Sequence, residues 1–539
     1  MTYAQHFSTR KTPQTEQADP RQVKNSAGGY SFEITPWQRL DRFLILGCEG
    51  GTYYATERKL TIENAKCVQT CLADDAARTV EAIATISEQG RAPKNDPAIF
   101  ALAIAAGVKG PNSAIALAAL PRVCRTATHL FQFCEAVKNF RGWGTGLKRA
   151  VAAWYNQHDE RSLCYQITKY QQRNGWSHRD LLRLSHAELK FPVVGRYMAT
   201  GAEGLGDRQV TRKQQKLPVT YASVGELPAY LAAFEELKHA DAKRTIELIR
   251  AHGFTHEMVD SQHKNNVDVW AALLEKMPMT AMIRNLGKMT SVGLIAPLSE
   301  AAKTVSSRLG DAEYIRKSRL HPIAILLASR VYAQGHGDKG SLTWATNPRV
   351  LDALNEAFYL AFGNVQPTGK RTLIAIDVSG SMTCGSIAGA PGITPNVASA
   401  AMALVTMRTE PEWHCVGFSD RMFDLGLTDK MRLDDVVHKA SRLNGGGTDC
   451  ALPMLWAAGS SVKVDTFVEL TDGETWQGHI HPHQALRAYR EKSGVQAKWG
   501  VIAMTATSFS LCDADDPGQM AFVGFDASTP QVLAEFAKM

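Results

Sequence analysis

The sequence predicts two folds in series: a helical-repeat array in the first two thirds, then a doubly wound α/β domain with a largely parallel sheet. Apolar residues recur at three- and four-residue spacing before residue 365, whereas short β-rich runs alternate with helical segments after it. The charge balance changes at the same boundary. Residues 1–365 hold 46 Lys and Arg against 34 Asp and Glu, and residues 366–539 hold 14 against 19.

The first 29 residues are polar and lack an apolar core, so we expect a flexible tail over residues 1–29 and no secretory signal. The apolar stretch PAIFALAIAAG (97–107) is too short to span a bilayer. The ten cysteines are scattered without a CxxC pair, which favours buried free thiols in a reducing cytosol. We therefore expect a cytoplasmic protein without membrane contact.

Residues 30–365 are predicted to form paired helices in the manner of HEAT repeats. Segments such as LPAYLAAFEELKHADAKRTIELIRAHG (227–253) place apolar residues on one helical face, and Gly, Asn or Pro separates the segments. Helix pairs of this length indicate repeats of about 40–47 residues. No sequence motif repeats strictly, so this prediction rests on the order of elements.

Residues 366–539 are predicted to alternate strands and helices. The strand segments are TLIAIDVS (372–379), WHCVGFS (413–419), MFDLGL (422–427), TFVELTDG (466–473), KWGVIAMTA (498–506) and MAFVGFD (520–526). The helical segments are NVASAAMALVTMR (396–408), LDDVVHKASRL (433–443), CALPMLWAAG (450–459), HQALRAYREK (483–492) and TPQVLAEFAKM (529–539). This alternation is typical of a doubly wound α/β domain.

Oxygen-bearing side chains stand in three loops of the α/β domain. Ligands of open α/β sheets bind at the carboxyl ends of strands, so we expect these loops to meet. The candidate metal ligands are Asp377, Ser379, Ser381, Thr448 and Asp472. Hydroxyl and carboxylate oxygens suit Mg²⁺, with Mn²⁺ or Ca²⁺ as alternatives. The alternative interpretation is that these residues merely cap strand ends and helix starts.

Three histidines in the run GHIHPHQ invite comparison with a second metal cluster. His479, His481 and His483 follow Asp472 on a predicted loop. Histidines on such a loop are more often solvated than metal-bound, so we expect solvated side chains here.

The excess of basic residues before residue 365 indicates a polyanion as the partner of that part. Lys169 and Arg173 stand four apart, and we expect them to share an exposed face at the end of one helix. Ser177 and Asp180 form a capping-box pattern that opens the next helix. On that helix Arg179, Arg183 and His186 fall on one face. A solvated basic surface is the alternative.

The order DxSxS, Thr in a Gly-rich loop and Asp after a later strand closely resembles the metal-ion-dependent adhesion site of von Willebrand factor A domains, a Rossmann-like fold. The resemblance implies direct ligation by the Ser and Thr hydroxyls and mostly water-mediated ligation by the Asp residues. It also implies an open coordination position that takes an acidic group of a partner.

The stretches GTYYATERKLTIENA (51–65), GWGTGLKRAV (142–151) and RNGWSHRDLLRLSH (173–186), followed by such a domain, resemble the Ro ribonucleoprotein family of TROVE-module proteins. The likeness starts near residue 30 and is weakest over 194–218. It implies that the helices close into a ring that binds small noncoding Y RNAs on its outer face. It also implies that single-stranded ends of misfolded RNAs enter the hole, that Lys169, Arg173 and His186 contact RNA, and that bacterial members have an exoribonuclease partner.

The sequence thus predicts a non-enzymatic RNA-binding scaffold that acts in noncoding RNA quality control. No GxxxxGK[ST] loop is present, so ATP use is not expected. One alternative is a metal-dependent phosphoesterase or nuclease acting at Asp377, which would need carboxylate-rich ligation and a base. The other is a protein–protein adhesion module whose helices hold another protein.

Overall fold

The computed structural model describes residues 11–47, 65–92, 94–108, 110–205, 208–211, 218–221, 225–318, 320, 322–337, 341–361, 367–385, 387, 393–443, 445–460, 462–505, 509–523 and 529–538. The motif over 51–65, apart from Ala65, and Asn444 of the Gly-rich loop lie outside these residues. Two strands precede the first helix, β1 (Gln22–Lys24) and β2 (Tyr30–Glu33).

The part before residue 362 is helical, as predicted. Its helices are α1 (Pro36–Leu46), α2 (Lys66–Asp74), α3 (Ala76–Gln89), α4 (Asp96–Gly107), α5 (Pro111–Ala118), α6 (Leu120–Val123), α7 (Ala127–Val137), α8 (Thr145–Asn156), α9 (Glu160–Lys169), α10 (His178–Ser185), α11 (Pro192–Thr200), α12 (Ala229–Leu237), α13 (Ala242–His252), α14 (Val267–Glu275), α15 (Met279–Arg284), α16 (Leu286–Ser291), α17 (Glu300–Leu309), α18 (Ala312–Ser318), α19 (Pro322–Ala333) and α20 (Pro348–Leu360). Two hairpins interrupt them, β3 (Gln172–Arg173) with β4 (Trp176–Ser177), and β5 (Arg208–Thr211) with β6 (Pro218–Tyr221).

Local signals set the helix ends. The side chains of Asp75, Asp159 and Asp241 each accept a hydrogen bond from the first turn of the helix that follows. Gly90 and Gly253 end α3 and α13 in the left-handed conformation that glycine adopts without strain. In the described part of the chain, no helix combines the length and apolar character needed to cross a bilayer.

The part after residue 366 has the predicted strands and helices. The strands are β7 (Thr372–Asp377), β8 (Trp413–Phe418), β9 (Met422–Asp424), β10 (Thr466–Thr471), β11 (Lys498–Ala503), β12 (Phe509–Ser510) and β13 (Gln519–Val523). The helices are α21 (Pro395–Thr409), α22 (Leu433–Ser441), α23 (Leu452–Gly459), α24 (Pro482–Ser493) and α25 (Thr529–Lys538). The short strand β12 was not predicted.

Six strands form the central sheet in the order β13-β11-β10-β7-β8-β9, all parallel except the edge strand β9. β7 and β10 are buried along their whole length, as strands covered by helices on both faces must be. Along β7, successive side chains point to opposite faces of the sheet and pack into two different apolar clusters. Ile374 and Ile376 join an apolar cluster that continues into the helical part, whereas Leu373 and Ala375 pack into a separate cluster on the other face.

The N-terminal strap, which we define as residues 11–34, packs against the C-terminal domain. β1 and β2 pair with each other, and β2 pairs with β12 of that domain. The guanidinium of Arg21 forms ion pairs with Asp513 at 2.7 Å and with Asp515. The expectation of a flexible tail is therefore wrong for residues 11–29, because their polar side chains have buried partners far along the chain. Residues 1–10 lie outside the described part.

Gly29 of the strap lies so close to the domain that its backbone leaves no room for a side chain. A Cβ atom at this position would lie 2.2 Å from the main-chain oxygen of Thr475. Gly29→Ala is therefore expected to lower the free energy of unfolding by about 1–3 kcal/mol, the usual cost of overpacking. Gly459→Ala is the matched control, since a Cβ there meets nothing within 4 Å. Thermal melts of both variants test this, and an unchanged midpoint for Gly29→Ala would contradict the packing of the strap.

Candidate functional site

The predicted metal ligands gather where the strand order reverses. β7 and β10 are neighbours in the sheet, and the chain leaves them towards opposite edges. Asp377 ends β7 and Asp472 follows β10, so both carboxyl groups stand at the same edge of the sheet. Both residues are 0% exposed. This is the switch point where open α/β sheets bind their ligands.

Hydrogen bonds join four of the five predicted ligands. The hydroxyls of Ser379 and Ser381 lie 3.0 Å apart, and the Ser381 hydroxyl donates to Oδ2 of Asp472 at 2.6 Å. Asp377 accepts from the main-chain N–H of Ser379 at 2.8 Å and from the hydroxyl of Thr471 at 2.8 Å. The DxSxS pattern and the Asp after β10 thus form one network, as predicted.

Thr448 is joined to the loop that follows β10 through its main chain, and no hydrogen bond links it to the other four predicted ligands among the described residues. Its carbonyl oxygen accepts from the N–H groups of Trp476 and Gln477, both at 3.1 Å. The preceding glycines permit this approach, because a Cβ on Gly445 would lie 2.7 Å from the main-chain oxygen of Val378. Thr448 is buried, and its loop is held against both others. The three loops therefore meet as the sequence predicts.

The electrostatics of the network fit a divalent cation. Burial and the neighbouring carboxyl of Asp472 raise the pKa of Asp377 above its usual range, because its ionised form lacks a nearby positive charge. Among the described residues, no Lys or Arg forms an ion pair with Asp377. Two carboxylates and two adjacent hydroxyls are hard oxygen donors. Asp377, Ser379, Ser381 and Asp472 would hold the cation, with Thr448 at the edge, and the cation would supply the missing positive charge.

The N-terminal strap holds the Gly-rich loop at Asp449 and the loop after β10 at Thr475. The sequence did not predict this contact. The side-chain amide of Gln14 donates to Oδ1 of Asp449 at 2.6 Å and to the carbonyl of Ile480 at 2.9 Å. Gln14 also accepts from the hydroxyl of Thr475. The side chain of Asn25 donates to the carbonyl of Thr475 at 2.6 Å. The sequence did contain one signal for a hairpin in the strap. The turn sequence NSAGG (25–29) stands between the two short β-forming runs QVK (22–24) and YSFE (30–33).

The expectation of solvated histidines is wrong for two of the three. His481 and His483 are buried, and only His479 is exposed. The ring of His481 contacts the carbonyl of Glu16 at 2.8 Å and the side chain of Gln22 at 3.2 Å, so the strap covers it. Within the described ranges, no three His, Cys, Asp or Glu side chains lie close enough to hold a metal ion.

The basic segment around α10 begins with a tight hairpin. Arg173 pairs with Trp176 across a two-residue turn, in which Asn174 and Gly175 both have positive φ. The predicted capping box is present: Ser177 accepts from the N–H of Asp180, and Asp180 accepts from the N–H of Ser177. His178 anchors the unit, since its buried ring contacts the hydroxyl of Tyr155 at 2.8 Å and the carbonyl of Tyr170 at 2.9 Å.

Three arginines of this unit are free of acidic partners. Arg173, Arg179 and Arg183 are exposed, and none of their side chains has a hydrogen bond or ion pair with any residue of the described ranges. Arg179 and Arg183 stand on one face of α10, opposite the buried Leu181. His186, also exposed, ends the helix in a left-handed conformation. Arg179 and Arg183 therefore share one face of α10 as predicted, whereas the expectation that His186 continues this helical face is wrong, because α10 ends at Ser185.

Lys169 is neither exposed nor on a shared helix face with Arg173, although the sequence had predicted both. α9 ends at this residue, and Arg173 belongs to the hairpin, so the two do not share a helix face. The Lys169 side chain is only 10% exposed and lies 3.9 Å from Glu257. Its ammonium group donates to the Tyr165 hydroxyl at 2.9 Å and lies over the rings of Tyr165 and Tyr170. The expectation that Lys169 is exposed is wrong, because these neighbours enclose it.

The fold defines a class: helical-repeat proteins that carry a von Willebrand factor A domain. The model of the TROVE domain matches residues 23–370, and that of the Ro60 vWA domain matches residues 371–537. The chain therefore belongs to the Ro60 family, which confirms the resemblance seen in the sequence. The two matches meet five residues beyond the boundary expected at 365.

Relatives with this architecture occur in distant organisms. The chain is 40% identical to the RNA-binding protein RO60 of Deinococcus radiodurans over 531 residues, which cover 98% of this chain and 97% of that one. It is 36% identical to the RNA-binding protein RO60 of Caenorhabditis elegans, with 97% and 91% covered. The crystal structure of the Deinococcus radiodurans RO (RSR) protein superposes with a TM-score of 0.71 at 37% identity, over 94% of this chain and 99% of that one. The predicted fold class is confirmed.

A further buried carboxyl lies in the sheet below the site. Glu469, on the central strand β10, is 0% exposed and accepts a hydrogen bond from the indole N–H of Trp499 at 2.8 Å. Burial raises its pKa from 4.5 to about 8. The native state therefore keeps a proton that the unfolded chain loses at neutral pH.

Glu469→Gln should flatten the dependence of stability on pH. Between pH 5 and pH 8 the native state binds one more proton than the unfolded chain at this residue, so the free energy of unfolding falls by about 1.4 kcal/mol per pH unit. Gln keeps an acceptor for Trp499 and removes the titration. Urea unfolding of both proteins at three pH values measures the difference. The same slope in Glu469→Gln and in the exposed control Glu491→Gln would contradict a protonated Glu469.

Proposed function

We propose that the chain is an RNA-binding scaffold that acts by binding rather than by catalysis. The observation that carries this proposal is the set of exposed, unpaired arginines Arg173, Arg179 and Arg183. Several other exposed arginines of the helical part, unlike these three, have acidic partners. Arg244, for example, pairs with Glu236 at 2.6 Å and with Glu247 at 2.8 Å. Uncompensated guanidinium groups are the usual contacts for phosphates.

The RNA partners we propose follow from the family. Small noncoding RNAs of the Y RNA type would bind the outer face around α10, with His186 and Lys169 beside the arginines. Single-stranded ends of misfolded or structured RNAs would enter the hole of the helical ring. In this account the protein serves noncoding RNA quality control, maturation or decay as a ribonucleoprotein. Both relatives named above carry RNA binding in their names, which supports this assignment.

The C-terminal domain would serve a second partner. We propose that Asp377, Ser379, Ser381, Thr448 and Asp472 hold Mg²⁺, with Mn²⁺ or Ca²⁺ as alternatives, and that the ion takes an acidic group of another protein. An exoribonuclease is the partner that best fits a role in RNA decay. The nine cysteines of the described part are all free thiols, which supports a reducing cytoplasmic location.

The two alternative functions have less support. A phosphoesterase or nuclease would need carboxylate-rich ligation, whereas this cluster has two carboxylates among hydroxyls. A protein-binding role for the helical part would not call for unpaired arginines, and its binding would depend little on salt. Incubation of labelled RNA with the pure protein and Mg²⁺ separates the first alternative from the proposal, since cleavage is not expected.

RNA affinity should depend on salt through the three arginines. Each phosphate contact contributes about 0.7–0.9 to the slope of log affinity against log salt. Arg173→Ala/Arg179→Ala/Arg183→Ala should therefore flatten that slope by about two to three units if each arginine contacts a phosphate. Lys169→Ala should flatten it less, because Lys169 is enclosed and paired with Glu257. Filter-binding titrations of a structured RNA at several salt concentrations measure these slopes.

Arg244→Ala is the matched control, since it removes an exposed but paired arginine. Circular dichroism checks that each variant is folded. If the folded triple variant keeps the affinity and slope of the unmodified protein, RNA binds elsewhere and the proposed interface is refuted.

A further inference from the structure

A polar cleft of about 440 Å³ opens beside the basic face. It lies between the end of α9, the start of α10, α11 with the turn that follows it, and α12. Its volume lies within the range of small-molecule sites, about 300–1,000 Å³. Arg179 belongs both to the rim of this cleft and to the basic face of α10. The cleft and the proposed RNA interface are therefore continuous.

The lining of the cleft combines apolar and aromatic surface with acceptors. Ile167, Met198 and Phe234 contribute apolar atoms, and Tyr197 contributes a second aromatic ring. Burial and the hydrogen bond to Glu235 raise the pKa of Tyr197 well above its usual range, so its hydroxyl stays a donor. A flat heteroaromatic ring with polar edges matches such a lining.

Two carboxyl groups provide the acceptors. Tyr197 and Lys238 both donate to Oε1 of Glu235, the latter at 2.7 Å, which leaves Oε2 without a hydrogen-bond donor in the described part of the chain. Glu203 is exposed and has neither a hydrogen bond nor an ion pair with any described residue. Both carboxyl groups line the cleft, and both are ready to accept from a ligand's N–H groups.

We propose that this cleft holds one unpaired nucleotide of a bound RNA, with its base against Tyr197 and its phosphate on Arg179. The base that fits best is guanine, because its edge presents adjacent N–H donors to the carboxylates, whereas uracil presents one donor between two acceptors. The inference rests on the proposed RNA binding and adds a subsite that selects an unpaired base next to a helix. Recognition of this kind reads single-stranded elements rather than duplex shape.

The test uses the full chain and three RNA hairpins of one sequence: fully paired, with one bulged guanosine, and with one bulged uridine. The unmodified protein should bind the guanosine bulge about tenfold more tightly than the paired hairpin, the gain expected for one stacked base. Ala202→Trp fills the cleft and should abolish this ratio, while the fully paired hairpin should still bind with the salt slope of the unmodified protein. Ala77→Trp, on the exposed side of α3, is the matched control and should keep the ratio.

Glu203→Gln gives a second measurement that does not depend on filling the cleft. Its side chain is exposed, so the fold should be unaffected, and the preference for bulged guanosine over bulged uridine should fall. Equal binding of paired and bulged hairpins by the unmodified protein would overturn the cleft while leaving the arginine interface intact. A ratio that survives Ala202→Trp would also overturn it. Failure to bind any of the three RNAs would refute the proposed function itself.

Discussion

The C-terminal domain is organised around two carboxyl groups, Asp377 and Asp472, that are removed from solvent at the ends of neighbouring parallel strands. Burying a carboxylate is costly unless hydrogen bonds or a cation compensate it. The surrounding loops supply the hydrogen bonds, from Ser379, Ser381 and Thr471. The glycines of the second loop let its backbone approach, and the strap fastens the outer loops through Gln14. Among the described residues, no Lys or Arg forms an ion pair with Asp377, and the proposed cation would supply positive charge there.

The two halves of the chain differ in charge balance. Residues 1–365 hold 46 Lys and Arg against 34 Asp and Glu, residues 366–539 hold 14 against 19, and the unpaired arginines Arg173, Arg179 and Arg183 stand on the helical part, so each half suits a different kind of partner. The halves are nevertheless joined firmly. The guanidinium of Arg408 on α21 stacks over the ring of Tyr359 on α20 at 3.7 Å, and Arg432 pairs with Asp352 at 3.2 Å. A continuous apolar core passes from the helices into one face of the sheet.

Secondary structure and local motifs were predictable from the sequence, because they follow from the spacing of nearby residues. Contacts between segments that are distant in the chain were not predictable. The strands of the sheet, the capping box at Ser177 and the oxygen cluster follow from local alternation and from the rule that strand ends meet. The strap was missed because polar residues such as Gln14 look solvated until their partners, over 400 positions away, are known. Lys169 and Arg173 were misplaced because helical spacing was assumed as far as Arg173, whereas α9 ends at Lys169 and Arg173 already belongs to the hairpin around Asn174 and Gly175.

The most direct measurement of this account compares metal and RNA binding in one variant, Ser379→Ala/Thr448→Ala. Isothermal titration with Mg²⁺ reports the oxygen cluster, and RNA titration of the same preparation reports the helical part. The variant should lose its Mg²⁺ affinity and keep its RNA affinity unchanged, because the two sites use different residues on different elements. A parallel loss of RNA affinity in the folded variant would contradict the separation of the two sites.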